Sequence, residues 1–257
     1  MADNPTADAL FATAAAGWGF AESSRVDGWR LRAAGGFTHR ANSAWPIGPL
    51  ERSLPDAIAE VRSWYLARRL RPLIQVVVGS DLDVKLDGLG HHETRARALR
   101  QTANVEKVLD TLLSVAPIGV KEAYSDAPSE DWLALYRSGD LPPAARQVLG
   151  SGDRVQFATV YDSDSGEPVA IGRAALSAAP DSDLTPTWVG LSAIETSPAA
   201  RRRGLAKLVV DALLEWAGEH GATDAYLEVT PDNAPAIAMY DALGFTTHHE
   251  YHYRVIA

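Results

Sequence analysis

Two tryptophans 152 residues apart, Trp64 and Trp216, open stretches that run in one order: helix, apolar strand, short helix, strand. "PLIQVVV" overlays "DAYLEVT". "LDGLG" (Leu86 to Gly90) overlays "YDALG" (Tyr240 to Gly244) at an offset of 154, so the second copy carries two extra residues between strand and short helix. A period this long is the size of a domain, far above a solenoid repeat. It predicts a duplicated α/β (α+β) unit, with a first domain over 1–116 and a second over 117–257, and the 257 residues suffice for two.

Smaller signals fill in the elements. A helix is expected after Pro5. Asp27-Gly28 and Gly35-Gly36 are hairpin dipeptides, so "SSRVDGWRLRAAGGFTHRANSAW" predicts three short antiparallel strands. Pro55 suits the first turn of a helix that carries Leu54, Ile58, Val61 and Tyr65 at helical spacing. "PLIQVVVG" is a buried strand, "LDVKLDGLG" a short helix, "ETRARALRQT" an outer strand and "NVEKVLDTLL" a helix. In the second half, strands are expected in "IGVKEAYS", on either side of a turn at Ser163–Gly166, and in "TWVGLSAIETS", "TDAYLEVT" and "HHEYHYRV". "AAPDSDLTP" is a loop. Helices are expected in "SEDWLALYRSG", "PPAARQVLGSG" and "NAPAIAMYDALG". A longer one in "ARRRGLAKLVVDALLEWAGEHG" shows one face of Leu205, Leu208, Val209, Ala212, Leu213 and Trp216, and Gly221 follows its end.

Composition removes several function classes. There is no cysteine, which excludes disulfides, thiolate metal sites and a covalent cysteine intermediate. A net charge of −9 argues against general binding of nucleic acid or anionic membranes. No apolar run approaches the ~18 residues of a membrane span, and the N-terminus lacks a basic leader. The expected compartment is the cytoplasm. "HHE" occurs twice, at His91 and His248, but neighbouring histidines on a strand point to opposite faces and converge poorly on a metal. No metal is expected.

"ETSPAARRRGLA" (Glu195 to Ala206) joins a strand to the long helix. Arg201, Arg202 and Arg203 crowd a helix N-terminus, where cations oppose the macrodipole unless an anion binds. Gly204 and Ala206 let backbone N–H groups approach such an anion closely, and a diphosphate suits the place.

Strand, "RRRGLA", helix, "LEV" and "NAPAIAMYDALGF" together resemble the GNAT superfamily of acetyl-CoA-dependent N-acetyltransferases. The resemblance covers 117–257. The whole chain looks like actinobacterial two-domain GNAT proteins, some labelled N-acetylglutamate synthase-like, and mycothiol synthases share that tandem architecture. The resemblance implies a mixed, mostly antiparallel twisted sheet flanked by helices in each copy. It implies that the backbone of Ile194 and Thr196 bonds the pantetheine arm. The segment from Arg201 through Arg202, Arg203, Gly204 and Leu205 to Ala206 would hold the CoA diphosphate. Asn233 would bind the cofactor or cap the last helix. Tyr240 falls on the family's tyrosine beside the thioester sulfur, and Glu228, twelve residues earlier, on the glutamate that serves as base in ribosomal-protein alanine acetyltransferases.

Those residue types match the chemistry. An ammonium cannot attack a carbonyl until a base takes its proton, and Glu228 is a carboxylate for that task. The alternative is a structural carboxylate that faces solvent or pairs with an arginine. Tyr240 can give a proton to the leaving thiolate. The implied acceptor is a small amine, an amino acid or a protein N-terminus, and the expected assembly a monomer or homodimer. A non-catalytic acyl-CoA-binding or regulatory protein is the competing expectation.

By the repeat offsets, Arg201, Gly204 and Ala206 fall on Pro49, Arg52 and Leu54. Glu228 falls on Val76 and Tyr240 on Leu86. The first domain is therefore expected to have lost its chemistry. Its Arg30, Arg32, His39, Arg40 and Asn42 either face the cleft of the second or lie on the surface.

Overall fold

The computed structural model describes residues 5–112, 119–139, 141–152, 154–178 and 187–257. The expected domain junction at 116/117 and the expected loop through 179–186 lie outside these residues.

Helix α1 (Ala7–Ala16) starts at Thr6, whose side chain accepts from the Ala9 N–H. Strands β1 (Glu22–Val26) and β2 (Trp29–Ala33) form a hairpin about Asp27-Gly28. Helix α2 (Leu54–Leu66) is capped by Ser53 and buries Ala57, Ile58, Val61 and Tyr65. Strand β3 (Leu73–Val77), helix α3 (Asp81–Gly88), strand β4 (Thr94–Asn104) and helix α4 (Val105–Leu112) complete the first half. The second half runs β5 (Val120–Ser125), α5 (Glu130–Leu135), α6 (Ala144–Leu149), β6 (Val155–Asp162), β7 (Pro168–Ser177), β8 (Trp188–Thr196), α7 (Leu205–Glu219), β9 (Asp224–Val229), α8 (Ala234–Ala242) and β10 (Thr246–Val255). None of the described helices is long and apolar enough to cross a membrane.

Eight strands form one sheet in the order β3-β10-β4-β9-β8-β7-β6-β5. Every neighbouring pair is antiparallel except β8–β9. The two halves exchange their last strands. The C-terminal β10 lies between β3 and β4 of the first half, and β4 lies between β9 and β10 of the second. The elements on which the repeat rests, α2/α7, β3/β9, α3/α8 and β4/β10, are thus all present, joined by a reciprocal swap.

Three expectations change. "ETRARALRQT" is not an outer strand: β4 is interior, with partners on both sides. Its arginines imitate a solvent face, but Arg100 is only 1% exposed, because it lies opposite Glu228 of β9. The third strand of the first hairpin is not made. Residues after β2 turn through left-handed Gly35, Gly36 and Thr38 into a loop fixed by Asn42. Its Oδ1 accepts from the Ala34 and Gly36 N–H groups at 2.8 and 3.0 Å, and its Nδ2 donates to the Phe37 and Thr38 carbonyls, both at 2.8 Å. All that remains of strand pairing there is a bridge from Trp45 to Arg30 and a parallel one from Ala44 to Ile74. Helix α7 buries Leu205, Val209, Val210, Leu213, Leu214 and Ala217, a stripe turned by about one residue from the expected face.

One core cluster lies between α4, α7 and strands β6–β9, and a second surrounds Trp132 on the opposite face of the sheet. A third fills the first half and holds Val76 and Leu86, the counterparts of Glu228 and Tyr240. Leu86 is fully buried. Leu86→Ala is expected to cost about 2–5 kcal/mol by denaturant unfolding. Turnover per folded molecule should stay at the parent value; a selective loss would give the first half a chemical role.

Candidate active site

Strands β8 and β9 pair in parallel only from Trp188–Asp224 to Leu191–Leu227 and then part. The fork opens where β8 bulges: Ala193 takes a left-handed φ of 54°, and the β7–β8 register shifts there. Ser192 and Ile194, on either side of Ala193, line two different cavities.

The larger cavity, about 930 Å³, extends from Ile194 and Thr196 past the start of α7 to α8. Its lining includes nine of the eleven expected site residues: Ile194, Thr196, Arg201, Arg202, Gly204, Leu205, Ala206, Asn233 and Tyr240. Helix α7 begins at Leu205 with no side-chain cap, and Gly204 before it has a φ of 81°. An uncapped helix start beside Arg201, Arg202 and Lys207 suits a polyphosphate, by N–H donors and by charge. Arg203 is not part of that lining; it turns to Asp162 at 3.2 Å. Asn233 caps α8, its Oδ1 accepting from the Ala236 N–H at 3.3 Å. Tyr240 is buried against Phe245, and burial pushes its phenol up to about 12. Glu195 also lines this cavity, with no motif to announce it. Burial raises its carboxyl, although the Arg137 N–H donates to it at 3.0 Å.

The smaller cavity lies on the other side of Ala193 and measures about 10 Å³. Gly190, Ser192, Tyr226 and Glu228 line it from the second half, and Trp18, Arg40, Trp45 and Arg100 from the first. Glu228 is 8% exposed at its side chain. Its Oε1 accepts from Arg100 at 2.5 Å, and its Oε2 meets Arg40 at 2.7 Å. Burial alone would raise this carboxyl, but Arg40 and Arg100 outweigh burial and hold it at about 2. In this arrangement Glu228 is the arginine-paired carboxylate of the alternative sequence reading. A base so weak takes a proton from an ammonium poorly while both guanidiniums stay in place.

Of the first-half residues expected near the cleft, Arg40 reaches Glu228, stacking 3.9 Å from the Trp18 ring. Arg32 is buried and donates to Ser43, and Asn42 ties the loop that presents Arg40. Arg100 and Arg173 were not singled out by sequence. Arg100 becomes visible only once β4 is known to lie beside β9.

The first half keeps a reduced counterpart of the large cavity, about 340 Å³ between Trp45–Ile47 and Ser80–Leu82. Its basic loop is gone. Arg52, at the position of Gly204, is locked to Asp27 at 2.8 Å. Of the two "HHE" stretches only the second lies in a strand, β10, and it differs from expectation in one respect. At a register shift in β10 between Thr247 and His249, the His248 and His249 side chains meet, Nδ1 to Nδ1 at 2.7 Å with their rings 84° apart, instead of pointing to opposite sides. Among the described residues no three metal-ligating side chains come together.

A family model described as "Probable histone acetyltransferase Rv0428c C-terminal" matches residues 7–254. The probable histone acetyltransferase Rv0428c of Mycobacterium tuberculosis is 32% identical over 246 residues, covering 95% of this chain and 72% of the relative. A GCN5-related N-acetyltransferase from Kribbella flavida has the same fold, with a TM-score of 0.71 at 17% identity over 97% of this chain and 95% of that one. A tandem GNAT protein from the clavulanic acid biosynthesis pathway gives 0.64 at 17% identity over 89% of this chain and 78% of that one. With a family model matched almost end to end and the fold shared over the same length, the chain belongs to the GNAT superfamily of N-acetyltransferases.

Proposed function

We propose that the protein moves the acetyl group of acetyl-CoA to a primary amine by direct attack, in the cytoplasm. The observation that carries this reading is the 930 Å³ cavity, which gathers Ile194, Thr196, Gly204 and Tyr240 around an uncapped helix start. Arg201, Arg202 and Lys207 offer charge to the diphosphate. Bound there, acetyl-CoA supplies an activated acyl group with a thiolate leaving group.

Glu228 takes the ammonium's proton once Arg40 has moved off it. With one guanidinium gone, burial raises the carboxyl towards a useful basicity. The amine nitrogen then forms its bond to the acyl carbon, and the backbone at the β8 bulge donates to the developing oxyanion. As the carbon–sulfur bond breaks, Tyr240 gives its proton to sulfur. The second proton leaving the nitrogen restores the phenol. A phenol near 12 stays protonated through the neutral range and is ready for that step.

Calorimetric titration with acetyl-CoA, followed by amine-dependent CoA release, tests the reading. Absence of acetyl-CoA binding removes it. Tyr240→Phe is expected to lower kcat about 10²-fold with cofactor affinity nearly unchanged; an unchanged kcat would take the acid role from Tyr240. Gly204→Val places a β-branched side chain at a left-handed position beside the expected diphosphate. Acetyl-CoA affinity should fall at least about tenfold, the equivalent of about 1.4 kcal/mol. Parent-like affinity would place the diphosphate elsewhere.

A further inference from the structure

The interior cavity beside Glu228 carries more positive charge than its one carboxylate balances. Arg40, Arg100 and Arg173 line it, and Glu228 is the single acidic side chain among the lining residues. Arg173, 1% exposed, spends its donors on carbonyl oxygens of Leu149, Gly17 and Ser151 at 2.6, 3.1 and 2.5 Å. Its charge stays without a counter-ion among the described residues. Arg100, 1% exposed, gives Nη2 to Glu228, but its Nε and Nη1 have no hydrogen-bond partner among the described residues. Trp45 Nε1 and Ser192 Oγ, in the same lining, are also without one. Buried guanidinium N–H groups left unmatched are costly. Those of Arg100 and Trp45 are donors only, so what they lack is an acceptor, and the surplus charge makes that acceptor an anion.

We infer that this cavity is the acceptor subsite, and that the acceptor is a small amine that also carries an oxyanion, a carboxylate in the first instance. The inference rests on the acetyl-transfer reading for its amine half. The anion half rests on the arginines alone. At about 10 Å³ the space holds roughly one water, so an acceptor enters only where a wall yields. Arg40 is the wall that yields. Its side chain is 25% exposed against 2% for Arg100, and it rests on the Trp18 ring. The acceptor's ammonium takes the place of the Arg40 guanidinium on Glu228. The acceptor's carboxylate takes the vacant donors of Arg100 and Trp45. A zwitterionic amino compound satisfies both ends of the site, whereas a simple amine leaves Arg100 unanswered.

The test is calorimetric binding to the full chain, alone and with saturating acetyl-CoA. The probes are phenylalanine against phenethylamine, leucine against 3-methylbutylamine, lysine against cadaverine, and a lysine-containing histone peptide. At least one amino acid is expected to bind ten times tighter than its decarboxylated partner. Arg100→Lys, which keeps the charge and removes Nε and Nη1, should bring that ratio close to one. Trp45→Phe, which keeps an aromatic side chain but loses the indole N–H, should lower it severalfold and serves if Arg100→Lys does not fold. The inference is overturned if every amine equals its amino acid, if the ratio survives in a folded variant, or if the peptide binds best. The two readings fail separately. Acetylation of amines without preference for a carboxylate leaves acetyl transfer standing and removes the anion subsite. A carboxylate preference without acetyl-CoA binding does the reverse.

Discussion

Glu228→Gln is expected to remove acetyl transfer, by a factor of about 10² or more, and to lower stability by about 3–5 kcal/mol while leaving acetyl-CoA affinity nearly intact. The stability loss follows from what remains. Arg40 and Arg100 keep their charges, and the one carboxylate between them becomes a neutral amide. Breaking a buried pair by removing one partner leaves an uncompensated charge, and here two are left. Acid should act on the parent in the same direction. The carboxyl binds protons more weakly folded, at about 2, than unfolded, near 4.5, so its stabilisation is complete above the ordinary carboxylate range. It is lost as pH falls from there through about 2. Between pH 7 and pH 3 the denaturant midpoint of the parent should therefore fall further than that of the glutamine variant. A variant as stable as the parent, with parallel pH profiles, would mean that Glu228 is not clamped. Normal turnover would end its role as base.

Chains covering 1–116 and 117–257, expressed separately, are expected to give no cooperative unfolding, and a folded acetyl-CoA-binding species should form only when the two are made together. We propose these as the two domains of the protein, but their sheets are not separable. Without the second chain, β3 and β4 lack the strand that lies between them. Without the first, β9 and β10 lack theirs. Each half alone would carry a one-strand gap through its sheet, with rows of unsatisfied N–H and C=O groups along both margins. Circular dichroism melts of each chain and of the co-expressed pair decide the matter. Two independent, cooperative melts would show that each half can close its own sheet.

Much of this architecture is visible in local signals, because local physics determines it. The Ser53–Pro55 start of α2, the Gly-punctuated turns and the periodicity of α7 depend on neighbours a few residues away. The large cavity was equally legible, since its residues sit in two contiguous motifs, one leading into the start of α7 and one running from the cap of α8 along that helix. Strand order was not. Nothing within "ETRARALRQT" says that its partners lie more than 120 residues downstream, and alternate arginines look the same on an edge as in a buried ion pair. The same gap hid the state of Glu228. The family resemblance implied a base there, but the two arginines that hold it come from a loop and a strand of the other half. Arg203 shows the converse: three adjacent arginines look equivalent in sequence, and one of them turns to Asp162.

The exchanged strands also set a schedule for synthesis. β3 and β4 leave the ribosome early, but β10, which belongs between them, is made much later; Asn104 and Thr246 are 142 residues apart. At ordinary elongation speeds of about 5–20 residues per second, the nascent first half waits roughly 7–30 s for its central strand. During that time "LIQVV" of β3 presents an apolar strand with an open margin, a template for pairing with any other chain nearby. The first half is most exposed to aggregation until β10 has been made, and a chaperone that covers β3 during that interval should raise the yield.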